Sequence, residues 1–137
     1  MPADMQMTKE QKALQIADDL DGQATQLNTF ISDSQNPKTE RQDAVARQLE
    51  LRRQAAHIRV DLITDIVGSG VPALDEIIAA ADRAKTAARK ITKVKDALDL
   101  AGATITFFTA LSSGQVAAIP GAWTAFAGAI KQFEASA

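Results

Sequence analysis

The chain of 137 residues contains no cysteine, no tyrosine and a single histidine, His57. The absence of cysteine excludes a disulfide scaffold, a thiolate metal site and a cysteine nucleophile. One histidine also excludes a multi-histidine metal centre. Aromatic residues make up only 4% of the chain, whereas alanine supplies 27 residues. Because alanine is the strongest helix former, this composition favours an all-α protein of one domain.

The net charge of −2 is distributed in blocks of alternating sign. Residues 1–36 carry −4, residues 37–59 carry +3, residues 60–82 carry −5, residues 83–95 carry +6 and residues 96–137 carry −2. Neighbouring antiparallel helices can select each other through such blocks.

The first residues have neither the basic region nor the apolar core of a secretory signal. We therefore expect a cytoplasmic protein whose residues 1–7 are disordered, and export that needs no signal peptide stays open as an alternative.

The first helix is predicted from Thr8 to Ile31. Thr8 and Gln11 have the spacing of a capping box, in which each side chain accepts a hydrogen bond from the other residue's backbone N–H. Apolar residues then alternate at spacings of four and three, which is a heptad-like seam. The seam consists of Ala13, Ala17, Leu20, Ala24, Leu27 and Ile31.

The second helix is predicted over residues 37–67, with Thr39 and Gln42 as a second capping box. Its apolar face uses either Leu49 or Leu51, and the sequence leaves both open. The other positions of that face are Val45, Ala55, Ile58, Leu62 and Ile66, flanked by Ala44, Ala56 and Ile63.

The third helical pattern is the longest and covers residues 72–111. A helix of about 40 residues would extend about 60 Å, roughly twice the diameter of a small domain. We therefore expect a kink or break near residues 98–102, where Gly102 lies, and the closer spacing of Ile91 and Val94 is the alternative position. The apolar positions are Leu74, Ile77, Ala81, Ala84, Ala88, Ile91, Val94, Leu98, Ala101, Ile105 and Phe108.

A last helix is predicted from Gly121 to Glu134, with Trp123, Phe126, Ile130 and Phe133 on one face. Together these patterns predict a single all-α domain over residues 1–137. The expected architecture is an antiparallel bundle of four to five helices, with three long helices first and a charge-poor helical hairpin over residues 100–135.

No residue between Asp99 and Lys131 carries a formal charge, and we call residues 100–130 the charge-free segment. In general appearance it resembles the hydrophobic hairpins of helical pore-forming proteins. Each arm is nevertheless shorter than the about 20 apolar residues that a spanning helix needs. We favour a hairpin buried in the chain or at a protein interface, with membrane insertion as the alternative. The candidate contact residues are Phe107, Phe108, Trp123, Phe126 and Phe133.

A second candidate surface is a basic stripe formed by Lys85, Arg89 and Lys93 at helical spacing. Such a stripe could bind an anionic partner, including an anionic membrane surface, or it could pair with the acidic first helix. Nucleic acid is disfavoured, because the pI is about 5.3 and no aromatic residue lies between Phe30 and Phe107 to stack on bases.

Other motifs fail on their spacing. Residues 68–73 read G-x-G-x-x-A, but no strand is expected before them, as a dinucleotide site requires. Residues 17–28 lack the acids of a calcium loop at both ends. His57 has no carboxylate three residues earlier, as a helical di-iron site requires. The sequence also has no G-x-S-x-G motif whose serine this histidine could activate.

Four acidic residues lie near the turn between the second and third predicted helices and could bind a cation weakly. We expect them instead to be solvated or paired with Arg59 and Arg83. These acids are Asp61, Asp65, Asp75 and Glu76. We predict no metal, cofactor or small-molecule substrate.

The leading hypothesis is a non-enzymatic helical-bundle protein that acts through protein–protein association with a protein partner, with itself, or with both. It could be an adaptor, an inhibitor or immunity-type factor, or an assembly component. The alternative is a membrane-active protein that inserts residues 100–130.

Overall fold

The structure, a computed structural model, describes residues 8–61, 73–114 and 116–135. Within these ranges the chain forms helices and no strand, which confirms the predicted all-α bundle. The helices are α1 (Lys9–Gln26), the single turn α2 (Asn28–Ile31), α3 (Lys38–Asp61), α4 (Leu74–Lys90), α5 (Val94–Ser112) and α6 (Ile119–Ala135), the last preceded by a 3-10 turn at Val116–Ala118. The disorder predicted for residues 1–7 and the helix predicted over residues 62–67 lie outside the described residues.

Helix α1 begins as the sequence predicts. The Thr8 N–H donates to Gln11 Oε1 (2.8 Å), and the Gln11 N–H donates to Thr8 Oγ1 (3.1 Å), so the capping box is complete. All positions of the predicted seam from Ala13 to Leu27 are buried, and Ile16 is buried beside them. One turn at Leu27 separates α1 from α2, where the predicted helix was continuous.

Helix α3 begins at Lys38, so Thr39 lies inside the helix and no hydrogen bond joins it to Gln42. The predicted second capping box is therefore wrong. The helix buries Leu51 and leaves Leu49 exposed. Its core face consists of Ala44, Gln48, Leu51, Gln54, Ala55 and Ile58.

The chain breaks between α4 and α5 at residues 91–93, so the alternative position at Ile91 and Val94 is confirmed and the favoured position near residues 98–102 is wrong. Ile91 and Lys93 have extended backbones (ψ 133° and 132°), whereas Gly102 lies within α5. The reversal lets α5 pack against both α3 and α6. A continuous helix would have carried that apolar surface away from the other helices, so burial favours the break.

Successive long helices run antiparallel, so three pairs of neighbours in space are parallel, and one of them is α4 with α6. Lys12 meets Asp75 and Asp19 meets Lys85, which makes α1 parallel to α4. Helix α3 is parallel to α5, because its residues 47 and 54 lie beside residues 102 and 109, respectively. The main contacts follow the order α3, α1, α4, α6, α5 and back to α3, which surrounds one core.

Ion pairs join the charge blocks that the sequence predicts to be neighbours. Arg59 of α3 lies 2.8 Å from Asp18 and 2.7 Å from Asp21 of α1. Lys85 of α4 lies 2.8 Å from Asp19 on another side of α1. The acidic first helix is therefore held between two basic segments.

Candidate functional site

The five aromatic residues predicted as contacts lie in the core or at its edge. Phe107, Phe108 and Phe126 are fully buried, Phe133 is buried, and Trp123 is half-buried. Ring centroids of Phe107 lie 5.0 Å from Phe108, 5.1 Å from Trp123 and 5.4 Å from Phe126, which are normal packing distances for aromatic pairs. These side chains join α5 to α6, so a partner on the closed bundle would have to contact other residues of the hairpin.

The outer side of the same hairpin carries a groove of about 500 Å³ between α5 and α6. Its lining has no charged residue and consists of small, aliphatic and hydroxyl side chains. The lining residues are Ile105, Thr106, Thr109, Ala110, Ala118, Gly121, Ala122 and Ala125. We call this feature the hairpin groove. Its small side chains allow another helix to approach closely.

Four small residues, spaced by four on each helix, line the hairpin groove. They are Thr106 and Ala110 on α5, and Gly121 and Ala125 on α6.

Among the described residues, every helix is too short or too polar to span a lipid bilayer.

The predicted basic stripe is divided by the break after α4. Arg89 is exposed on α4 and Lys93 is exposed between the two helices. Lys85 instead pairs with Asp19. The predicted pairing with the acidic first helix thus holds for Lys85, and the other two residues of the stripe, Arg89 and Lys93, face solvent with no ion pair to the described residues.

The Asp19–Lys85 pair is the most buried ion pair in the described residues. The Asp19 side chain is 4% exposed and its Oδ2 atom has no hydrogen-bond partner there. Burial raises the pKa of Asp19, and the hydrogen bond and charge of Lys85 offset this only in part. The same hydrogen bond raises the pKa of Lys85. The two raised pKa values are consistent with each other. Asp19 loses most of its contact with water, whereas Lys85 stays a quarter exposed and is affected mainly by the hydrogen bond.

The lysine stem crosses α1 directly over Gly22. A Cβ at Gly22 would lie 2.6 Å from Lys85 Cδ, which is closer than side-chain atoms normally approach. The glycine therefore makes room for the ion pair. This pair explains the position of Gly22 within α1, and it serves the packing of α1 on α4.

His57 lies at a polar cavity of about 220 Å³ between α3 and α5. Gln54 Nε2 donates to Thr109 Oγ1 (3.1 Å), and the Ser112 hydroxyl donates to Gln54 Oε1 (3.1 Å) or to the Phe108 carbonyl (2.8 Å). These hydroxyl and amide groups thus bond to each other or to the backbone, which joins α3 to α5.

The acids predicted near the second turn have separate partners where the structure describes them. Asp75 lies 2.7 Å from Lys12, and Glu76 Oε2 accepts a hydrogen bond from the Ala73 N–H (3.3 Å). Asp75 and Glu76 are exposed, which is one of the two expected arrangements, whereas Arg59 and Arg83 pair with acids of α1 and α6 and not with these two acids. The Asp61 side chain, Asp65 and the glycine turn at residues 68–72 lie outside the described residues. No group of three potential metal ligands occurs in the described part.

One surface was assigned wrongly from the sequence, which placed Val45 and Ala56 on the core side of α3. Val45, Leu49, Ala56 and Val60 are exposed on α3, opposite its core face, and we call them the outer α3 face. The signal was present in the two competing leucines of α3, because Leu49 belongs to this second apolar stripe and Leu51 to the core. Periodicity alone could not assign both stripes.

The fold and these surfaces define an all-α helical bundle with an uncharged groove on its C-terminal hairpin. Comparisons of this chain with protein-family models, curated proteins and solved structures found no match.

Proposed function

We propose that this chain is a non-enzymatic helical-bundle protein that acts through protein–protein association, with the hairpin groove as its contact surface. The observation that carries the proposal is the groove itself, a concave surface of about 500 Å³ without a charged lining residue. Charged residues are depleted at the centres of protein interfaces, because a charge buried there without a partner costs free energy. The proposal covers an adaptor, an inhibitor or an assembly component.

A second copy of the chain is the partner that this surface favours. In a twofold dimer the same surface meets itself, so any charge in it would meet a like charge near the axis. The charge-free segment spans 31 residues and avoids this repulsion over residues 100–112 of α5 and 119–130 of α6. Small residues on both walls of the groove would also let the helices of two hairpins pack closely.

Membrane insertion of residues 100–130 is the competing function. It would require the hairpin to leave the bundle and remove Phe107, Phe108 and Phe126 from the core that buries them. Opening the bundle exposes each of these side chains to water at a cost of about 1.5–3 kcal/mol until lipid covers it, so the opening step is unfavourable. The outer surface of the closed hairpin needs no such opening to meet a protein.

The proposal is tested by sedimentation velocity of the full chain from low to high micromolar concentration. We expect the mass to rise above the 14.6 kDa of one chain. The variant Ala125→Glu places a carboxylate in the groove at an exposed site, and we expect it to remain monomeric. Ala79→Glu adds the same charge at an exposed site of α4 and should associate like the natural chain.

A monomeric mass for the natural chain at high micromolar concentration would contradict self-association. Equal loss of association in Ala125→Glu and Ala79→Glu would contradict the assignment of the surface. Flotation with anionic vesicles separates the membrane function, because the proposal predicts that the chain stays in the unbound fraction.

A further inference from the structure

The outer α3 face is apolar although nothing in the described chain covers it. Leu49 is 62% exposed, Val60 79% and Val45 39%, and these are three of the four large hydrophobic residues that are exposed in the described ranges. At 100° per residue, the four positions of this face fall within about 60° of the circumference of α3. They therefore form two apolar pairs in line along the helix, Val45 with Leu49 and Ala56 with Val60, separated by the turn that carries Arg52 and Arg53.

This stripe contributes nothing to the core. The opposite side of α3 carries Leu51, Ala55 and Ile58, which are fully buried against the bundle. A helix that is apolar on two opposite sides normally has packing partners on both. The outer α3 face spans about 22 Å, or four turns, which is the length of a short helix–helix contact.

The charges beside the stripe are basic. Lys38 and Arg52 project from the stripe side of α3 and form no ion pair within the described residues. Arg53 also lies beside the stripe and pairs with Glu50 (2.7 Å). By helical spacing, Asp43 and Glu50 belong to the edge of α3 that turns toward α5.

A cavity of about 250 Å³ marks the N-terminal end of the stripe. Its lining combines the apolar Ile31 and Val45 with Lys38, Arg41 and Gln42. The cavity can take one large apolar side chain, and the two basic residues at its border favour carboxylates next to that side chain.

These features select between possible occupants. A second copy of α3 with its stripe aligned would bring Arg52 against Arg52 in a parallel pair and against Arg53 in an antiparallel pair, which repels in both orientations. Helices that lie on membranes use aromatic and leucine residues to enter the lipid, whereas this stripe has one leucine and no aromatic residue. An amphipathic helix with acidic flanks matches both the apolar stripe and the charges.

We propose that the outer α3 face is a docking site for an amphipathic helix of another protein, whose apolar seam is flanked by aspartate and glutamate. The seam has residues spaced by three and four over about four turns, and its carboxylates lie near Lys38 and Arg52. This site is separate from the hairpin groove and does not depend on self-association.

The test uses two synthetic helical peptides with the same leucine seam, flanked by glutamate in one and by lysine in the other. Fluorescence anisotropy measures their binding to the full chain. We expect the glutamate peptide to bind at least tenfold more tightly, with an advantage that shrinks as salt is added. Equal affinities, or no binding of the glutamate peptide up to millimolar concentration, would overturn the proposal.

Two variants locate the binding. Leu49→Asp should weaken the glutamate peptide at least tenfold, whereas Leu14→Asp changes an exposed leucine of α1 and should leave the affinity unchanged. Arg52→Glu should narrow or reverse the preference between the two peptides. Equal effects of the two leucine variants, an unchanged preference in Arg52→Glu, or binding to anionic vesicles that the glutamate peptide does not displace would each contradict the site.

Discussion

Replacing Gly22 by alanine tests whether the Asp19–Lys85 pair governs the packing of α1 on α4. Helix propensity alone predicts that Gly22→Ala stabilises the protein by about 1 kcal/mol, because Gly22 lies within α1. The structure predicts the opposite sign. A Cβ at this position would lie 2.6 Å from Lys85 Cδ and 3.1 Å from its Cγ, so the lysine stem must move.

The size of the expected change follows from the Asp19 carboxylate, which loses its partner when the lysine moves. Lys85 is 2.8 Å from an Asp19 carboxylate that is almost fully buried. Loss of a hydrogen bond between charged groups costs about 1.5–3 kcal/mol. Subtracting the helix gain of about 1 kcal/mol leaves an expected net loss of about 0.5–2 kcal/mol in the free energy of unfolding.

Urea denaturation followed by far-ultraviolet circular dichroism measures this change. Gly102→Ala is the matched control, because its added Cβ would meet Arg47 Cζ at an ordinary 3.8 Å. It should stabilise the protein by about 1 kcal/mol. In a chain that also carries Asp19→Ala and Lys85→Ala, Gly22→Ala should become stabilising too. Stabilisation by Gly22→Ala in the natural background would refute the reasoning.

Three further predictions concern other parts of the bundle. Phe126→Ala removes a fully buried ring and should lower the free energy of unfolding by about 3–5 kcal/mol, measured by urea denaturation with Trp123 fluorescence. Thr8→Ala removes the capping box and should cost about 1 kcal/mol in the same measurement by circular dichroism, whereas Thr8→Ser should cost little. The hydrogen bond from Arg83 lowers the pKa of Glu134, so its stabilisation is present above the ordinary glutamate pKa and is lost as the pH falls through the lower folded value. Glu134→Gln should therefore cost about 0.5–1 kcal/mol at neutral pH and nothing in strong acid, and an equal cost at both pH values would contradict the pairing.

The sequence predicts α1 well because local and tertiary signals agree there. The capping box of Thr8 and Gln11 needs only neighbouring residues, and the structure forms it. The seam from Ala13 to Leu27 faces the core because a single apolar stripe leaves one way to bury α1.

The break between α4 and α5 shows where local rules fail. Gly102 is the residue that favours a break by propensity, yet it lies inside α5 beside Arg47. The chain reverses instead at Ile91, without glycine or proline nearby. The closer spacing of Ile91 and Val94 marks this position in the sequence. Choosing it over Gly102 depends on the gain from packing α5 between α3 and α6, which no window of local sequence contains.

The candidate surfaces were predictable only in part for a similar reason. The charge-free segment is visible in the sequence, but which of its sides faces outward depends on how Phe107 and Phe126 pack. The aromatic residues named as contact candidates lie in the core or at its edge, and the small residues Gly121 and Ala125 line the groove.

The distance between two hairpins in solution tests the proposed association most directly. The chain has no cysteine, so Thr124→Cys and Ala79→Cys each provide a single site for a spin label, the first beside the hairpin groove and the second on α4. Double electron–electron resonance at high micromolar concentration should give a short, narrow distance between labels at position 124 and a longer one at position 79. Absence of a dipolar signal from both sites, or a shorter distance at position 79, would contradict association through the hairpin groove.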